Sequence, residues 1–350
     1  MSDGVRCMIM RGGTSKGVFF VDTDLPTDAS ERDRLLMQIM GTPDPRQIDG
    51  LGGAHPLTSK VAIASLPSDD EVDVEYLFLQ VGVGDEFVTD RQNCGNLLSA
   101  IGPFAVERML VSVPDGAASI RIRMRNTGGV AVAHFQVGDG APIYEGDTAV
   151  SGVPGTAGAI AIDFLDIAGG STGALLPTGN TVDDVEGISV TMVDNGMPVV
   201  VMLAADLGVT GYESCADLER DPALRERLEQ MRLEAGDLMG LGDVSETTIP
   251  KLTLVAPPKA GGSVSTRTFI PHRCHDAIGV LGAVSVATAC LLPGTPAGSV
   301  SEIDSPVITL EHPTGSFDAR VEMEGGEVRR AGIVRTARKL MDGVVYPRSY

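Results

Sequence analysis

Residues 278–292 read IGVLGAVSVATACLL, fifteen positions without a charge. A bilayer span needs about 20 apolar residues, so this stretch reads as a helix for a protein interior. It has no polar face, and a helix that is apolar all round must be buried on every side. Residues 94–109, CGNLLSAIGPFAVERM, make a second small-residue helix, with Pro103 inside it as a site for a kink. The approaches match as well. Asn93-Cys94-Gly95-Asn96 leads into Ile101-Gly102, and Arg273-Cys274-His275-Asp276 leads into Leu281-Gly282. Both Cys-to-Gly separations are eight residues, and the copies lie 180 residues apart. Each helix is followed by strand-like segments around a Gly-Gly pair, Gly128-Gly129 and Gly325-Gly326. The expected fold is α+β: two pseudo-symmetric domains, each a curled, mostly antiparallel sheet around a central apolar helix. The domains are expected at residues 1–185 and 186–350, with terminal strands free to cross over.

Other segments fit this grammar. Val5–Met10 and Val18–Val21 read as strands flanking a glycine-rich turn, and Asp28 to Met40 reads as a helix with Leu35, Leu36, Ile39 and Met40 on one face. Val72–Val83 alternates through Val72, Val74, Tyr76 and Phe78, the pattern of a strand. Ile120–Met124 and Val130–Val137 form a hairpin, Ala216 to Met239 an amphipathic helical region, and Glu327–Thr336 a late strand.

The chain has 350 residues, 43% of them apolar, which is the composition of a folded globular protein. Its net charge of -20 excludes a dedicated nucleic-acid binder, because phosphate binding needs a basic face. The five cysteines (Cys7, Cys94, Cys215, Cys274 and Cys290) are odd in number and form no C-x-x-C, which fits free thiols in a reducing compartment. Residues 1–11 lack the apolar core of a signal peptide. The expectation is a cytoplasmic protein with no membrane span.

Three segments carry candidate chemistry. Lysine is scarce, five against 22 arginines, and only Lys16 and Lys60 occur before residue 251. A lysine kept where arginine would serve for charge points to an amine that must release its proton. Cys94 sits at a helix start, where the dipole favours thiolate and free N–H groups attract a carboxylate. Arg11-Gly12-Gly13-Thr14-Ser15-Lys16-Gly17 offers N–H groups, hydroxyls and two cations, an anion-binding composition that does not match a P-loop. His272-Arg273-Cys274-His275 lacks a second ligand pair at usable spacing, so no metal site is expected. His55 is a contact candidate near Lys60; His134 and His312 are isolated and receive no role.

With Met10–Gly17, Gln47-Ile48-Asp49-Gly50-Leu51-Gly52-Gly53, Leu57-Thr58-Ser59-Lys60-Val61-Ala62 and Gln92–Asn96, the sequence resembles the PrpF family over nearly its whole length. That family includes isomerases of methylaconitate, methylitaconate and oxalomesaconate, and it shares the two-domain fold of diaminopimelate epimerase. Asp44–Gly50 and Val106-Glu107-Arg108 resemble most the branch acting on 4-oxalomesaconate in gallate and protocatechuate breakdown. The resemblance implies Lys60 as the proton-transferring base with Cys94 opposite or beside it. It implies substrate binding by Arg11, Gly12, Gly13, Thr14, Ser15, Lys16, Ser59, Asn93, Gly95, Asn96, Arg273, Cys274 and His275. The second helix opens with Arg273-Cys274-His275-Asp276 in place of the epimerases' Cys-Gly, which speaks against a symmetric two-thiol racemase.

The implied substrate is a small tricarboxylate, unsaturated or 2-keto, in a cleft that excludes water. Neutral Lys60 removes a proton from carbon and returns it two atoms away, while donors stabilise the enolate. No cofactor or metal is called for by this chemistry. Keto–enol tautomerisation or a shifted C=C bond, one base or two, and a homodimer or a monomer all stay open. So do a methylaconitate or methylitaconate substrate and a non-catalytic accessory role beside an aconitase-like dehydratase.

Overall fold

Alternating burial along short strands builds the molecule, a computed structural model that describes residues 4–91 and 93–348. Gln92, the first residue of the Gln92–Asn96 motif, lies outside the described residues. The chain divides into one unit of Met1–Leu165 with Val334–Tyr350 and another of Asp166–Ile333. The break falls at 165/166, not at the 185/186 expected from sequence. The reason is local: Asp183–Val185 pairs antiparallel with the strand that begins at Ile188, so it belongs to the second unit.

The first unit contains β1 (Val5–Gly12), β2 (Ser15–Val21), α1 (Ala29–Met40), β3 (Lys60–Ser65), β4 (Val74–Val81), α2 (Gly95–Glu107), β5 (Gly116–Met124), β6 (Val130–Gly138) and β7 (Ala159–Phe164). β1–β2, β3–β4, β5–β6 and β6–β7 pair antiparallel; β2–β3 and β4–β5 pair parallel. The C-terminal strand Glu327–Val345 bonds to both β7 and β1, so the hydrogen-bonded neighbours run in a ring. The strand runs past Thr336, its end as expected from sequence, because β1 offers it a partner from Val5↔Val345 to Gly12↔Ala337.

The two faces of this sheet hold different helices. Val18, Phe20, Val61, Ile63, Leu77 and Leu79 pack with Leu36, Ile39 and Met40 of α1. α1 starts where Asp28 accepts the Glu31 N–H at 2.9 Å and stops at Gly41, whose φ of 85° suits glycine. The alternate residues face α2, which touches β1 to β7. Every residue from Leu97 to Val106 is buried, as an all-apolar helix requires.

The second unit contains β8 (Ile188–Asp194), β9 (Pro198–Leu203), α3 (Pro222–Leu238), β10 (Lys251–Ala256), β11 (Val264–Phe269), α4 (Val280–Leu291), β12 (Val307–His312) and β13 (Gly315–Glu324). Its helical region 216–239 is split. Cys215–Glu219 is one short helix, and Asp221 then caps α3 with Pro222 in its first turn. Leu224, Leu228 and Met231 of α3 pack against Val190, Met192, Val200, Met202, Leu252 and Leu254. α4 is buried from Gly282 to Cys290. Among the described residues no helix is long and apolar enough to cross a membrane.

Candidate active site

Three of the sequence motifs meet at the start of α2. Residues 11–17, expected as a glycine-rich turn between two strands, form a tight hairpin in which the strands run further into the motif, with Gly12 opposite Ser15 and Arg11 opposite Lys16. Directly opposed residues share a sheet face. The hairpin lies against the helix so closely that a Cβ on Gly12 would sit 2.4 Å from the Asn96 carbonyl oxygen, and one on Gly17 would sit 2.9 Å from the Leu97 side chain. Asn96 Nδ2 donates to Thr14 Oγ1 at 3.1 Å, tying the hairpin tip to the first turn of α2. The Gly-Gly pair therefore permits close packing as well as the turn.

Lys60 begins β3, beside Gly17 on one side and Gln80 on the other. Like Gly17, it faces α2. The amine is buried, lies 4.9 Å from the Phe78 ring centroid, and donates to Gln80 Oε1 at 2.9 Å. Gln80 is fixed in turn: its Nε2 donates to the carbonyls of Ser59 and Pro56 at 2.8 and 3.2 Å. That leaves the amide oxygen for the lysine. Ser59 Oγ accepts from Gln47 Nε2 at 2.8 Å, and Gln47 Oε1 accepts the Ala54 N–H at 2.9 Å. The Gln47–Gly53 motif thus braces the residue before Lys60.

Cys94 is buried and occupies the N-cap position of α2, where its side chain makes no capping bond. Its N–H is held by Asn93 Oδ1 at 2.8 Å, and its carbonyl accepts from Tyr76 Oη at 3.3 Å. Burial, followed by the neighbouring Cys94, pushes the Tyr76 phenol well above its ordinary value, so it remains a donor. Ser15 Oγ faces the same side and, among the described residues, is buried without a hydrogen-bond partner. An amine, a thiol, an unbonded hydroxyl and an uncapped helix start can hold an anion and move a proton.

Other expected residues lie elsewhere. Arg11 and Lys16 alternate with Gly12, Ser15 and Gly17 and so occupy the face away from α2. There Arg11 is directly between Lys16 and Arg338 across three strands. Its guanidinium donates to the Gly13 and Thr336 carbonyls, both at 2.9 Å. Burial, and then Arg338, lowers its pKa. A cation on the α2 side is Arg335, buried, with its Cδ 3.2 Å from where a Cβ on Gly13 would be. Arg335, Gln80 and Tyr76 are not among the sequence candidates. Gln80 has a signal, since it continues the alternation Val72, Val74, Tyr76, Phe78 with a polar residue.

A profile of the PrpF protein family matches residues 3–348. The chain belongs to the PrpF family. It is 54% identical to the (4E)-oxalomesaconate Delta-isomerase of Novosphingobium sp. (strain KA1) over 348 residues, 98% of each chain. It is also 54% identical to the 4-oxalomesaconate tautomerase of Pseudomonas putida (strain KT2440) over 344 residues, 97% of this chain and 95% of the relative. A crystal structure of methylitaconate-delta-isomerase superposes with a TM-score of 0.90 at 33% identity, covering 99% of this chain and 96% of that one. The two share a fold.

In this PrpF chain the second motif differs from the first. Cys94 adjoins its helix, whereas α4 begins at Val280 after the N-cap Gly279. Cys274 instead bridges to Phe269 and faces the α3 side, its Sγ 2.8 Å from that of Cys215. Burial, followed by the bond to Cys215, pushes the Cys274 thiol up, and the residue does not match Cys94 in position. Arg273 is exposed in the preceding turn, where its carbonyl accepts the Ile270 N–H at 2.8 Å. His275 is half-buried, and its Nδ1 accepts the Ala277 N–H at 2.9 Å, placing the proton of the neutral ring on Nε2. His55 holds only its own turn, accepting the Leu57 N–H at 3.1 Å. His134 is held between Ser119 and Asp163, at 2.8 and 3.0 Å, beside a cavity of about 400 Å³. Among the described residues no group of three or more His, Cys, Asp or Glu could hold a metal.

Proposed function

We propose that the chain isomerises 4-oxalomesaconate, with Lys60 as the base that moves the proton and Cys94 as a second group at the same centre. One observation carries this reading. A buried lysine amine is anchored at 2.9 Å by a neutral carboxamide, on the sheet face that looks onto an uncapped helix start. A carboxylate partner would hold the ammonium form; a carboxamide fixes the amine's position without a full counter-charge. The 54% identity to two relatives named for oxalomesaconate supports the substrate.

The acidic C–H lies next to a carbonyl or carboxylate of the substrate. The Lys60 amine takes that proton, and the electron pair moves into an enolate held by the α2 start, Ser15 and Arg335. The ammonium returns the proton to carbon or oxygen two atoms away. The same proposal takes the two units as pseudo-symmetric halves of diaminopimelate epimerase type. The free cysteines support a reducing, cytoplasmic setting.

A second reading, methylitaconate or methylaconitate as substrate, is favoured by the TM-score of 0.90 with methylitaconate-delta-isomerase. The experiment is NMR of the pure enzyme in D2O with oxalomesaconate and methylaconitate offered separately. The proposal expects deuterium to enter oxalomesaconate during its isomerisation. Exchange into methylaconitate alone selects the second reading, and exchange into neither substrate sinks both.

A further inference from the structure

Ser119, His134 and Asp163 stand on β5, β6 and β7, three neighbouring strands of the first unit. Register explains how they meet. Arg121 of β5 turns its backbone outward to Asp73: its N–H donates to Asp73 Oδ2 at 2.7 Å, and its carbonyl accepts the Asp73 N–H at 2.9 Å. Arg121 and Val132 are therefore a pair without mutual hydrogen bonds, and so are Ser119 and His134, two residues along. Pairs of that kind hold their side chains closest. His134 also lies opposite Ala161, so Asp163 sits two residues further along β7 on the same face. That face is turned away from α2. Ala133 and Phe135 face the helix, since a Cβ on Gly102 would sit 3.2 Å from the Ala133 Cβ and 2.7 Å from the Phe135 ring.

The three side chains form a chain of hydrogen bonds. His134 Nε2 is 3.0 Å from Asp163 Oδ2, and His134 Nδ1 is 2.8 Å from Ser119 Oγ. A carboxylate oxygen only accepts, so the neutral ring keeps its proton on Nε2 and turns the Nδ1 lone pair to the serine hydroxyl. Asp163 is buried, His134 is half-buried and Ser119 is exposed. Shielding thus falls on the carboxylate and access on the hydroxyl. Ser119 and His134 both line the cavity of about 400 Å³, together with Ala117, Ile143, Ala159 and Ala161. That size suits a small organic molecule. Glu145 is the charged side chain of the lining, which disfavours an anionic guest. Ser119 is turned as Arg121 is, so its N–H points off the β5 edge, beyond the stretch Ile122 to Met124 that β4 pairs.

We propose that Ser119, His134 and Asp163 form a second catalytic centre, a serine hydrolase site for small uncharged carboxylic esters. Ser119 Oγ bonds to the ester carbonyl carbon as its proton passes to His134 Nδ1, and the Ser119 N–H faces the oxyanion that forms. The ester C–O bond then breaks, and the alcohol leaves with that proton. Water repeats the sequence on the acyl-serine, releasing the acid and restoring the hydroxyl. Asp163 touches no substrate; it is a positioning residue that fixes the ring's orientation and tautomer. The centre lies on the face opposite the one that carries Lys60, so it stands or falls independently of the isomerase reading.

The test combines hydrolysis of p-nitrophenyl acetate and butyrate with labelling by a fluorophosphonate probe, mapped by peptide mass spectrometry. The probe is expected on Ser119, with p-nitrophenol released over many turnovers. Ser119→Ala and His134→Ala are each expected to lower kcat/KM by about 100-fold or more, at an unchanged melting temperature. Should His134→Ala lose its melting transition, His134→Gln replaces it. Asp163→Asn is expected to lower kcat by about 10-fold or more at constant KM, because it acts only through the ring. Ester turnover that is absent, or equal in the wild type and Ser119→Ala, overturns the proposal. So does a probe that reacts elsewhere, or as fast without His134. An Asn variant that raises KM at constant kcat shows that Asp163 only shapes the cavity, and likewise breaks the triad.

Discussion

β3 and β10 share length, neighbours and a lysine at the first position, yet the two amines have opposite surroundings. Lys60 has Gln80 across from it and donates to the amide oxygen. Leu252↔Phe269 is the last pair of β10 with β11, so the next residue across from Lys251 is the apolar Ile270. One amine is held by a neutral acceptor; the other, among the described residues, has no side-chain hydrogen bond or ion pair on a residue that is 9% exposed. The same backbone position therefore gives a lysine a hydrogen-bonded amine in one unit and an amine without a side-chain partner among the described residues in the other. What separates the two are the cross-strand residues, Gly17 and Gln80 beside Lys60 against Val199 and Ile270 beside Lys251.

The sharpest way to break this contrast is to remove each lysine. Lys60→Met is expected to lower kcat by roughly 10²–10⁴-fold, the span of a positioned acid–base group. Near-wild-type turnover on oxalomesaconate would end its role. Cys94→Ser measured alongside decides the number of bases: an equal loss means two, and a loss about ten times smaller means Lys60 works as the main shuttle.

Gln80→Leu gives Lys60 the apolar neighbour that Lys251 already has. A fall in kcat of about 10-fold is expected from the lost hydrogen bond, with KM changing less. An unchanged kcat would mean that Gln80 does not position the amine.

The Lys251 side of the contrast is read in stability. Its pKa is about 8 in the fold against 10.5 for an unperturbed lysine. Between those values the unfolded chain binds more protons, so stability rises with pH across that window and the cost of the charge is full below it. Lys251→Met should therefore raise the melting temperature at pH 7, and the gain should fade by pH 10. A gain independent of pH would assign the effect to packing. The smallest expected effect is that of Tyr76→Phe. It removes one hydrogen bond to the Cys94 carbonyl and costs about 0.5–1.5 kcal/mol in urea unfolding.

Much of this molecule is legible in its sequence because the signals are local. Both central helices are visible as small-residue runs, without a charge over 94–106 and 278–292, since an all-apolar helix needs no knowledge of its neighbours to be read as buried. The motifs around Cys94 and Lys60 are legible for the same reason. Features that depend on faces and distant pairing are not. Residues 11–17 have the composition of one anion-binding loop, but a two-residue turn makes them a hairpin, and alternation sends Arg11 and Lys16 away from α2. Arg335 reaches the site side only because its strand pairs with β1, more than 300 residues earlier in the chain. The equal Cys-to-Gly spacing of the two helices also misleads. Gly102 lies well inside α2, whereas Gly282 is in the first turn of α4, because Gly279 and not Cys274 ends the approach.

The C-terminal strand has a consequence for the order of synthesis. β1 leaves the ribosome more than 300 residues ahead of its partner, Ala337 to Val345. Until that strand emerges, the nascent first unit carries an open edge and Arg11 lacks its Thr336 acceptor. The site around Lys60 can then be completed only after residues 337–345 have emerged, and a nascent chain arrested before residue 337 should remain sensitive to protease along β1.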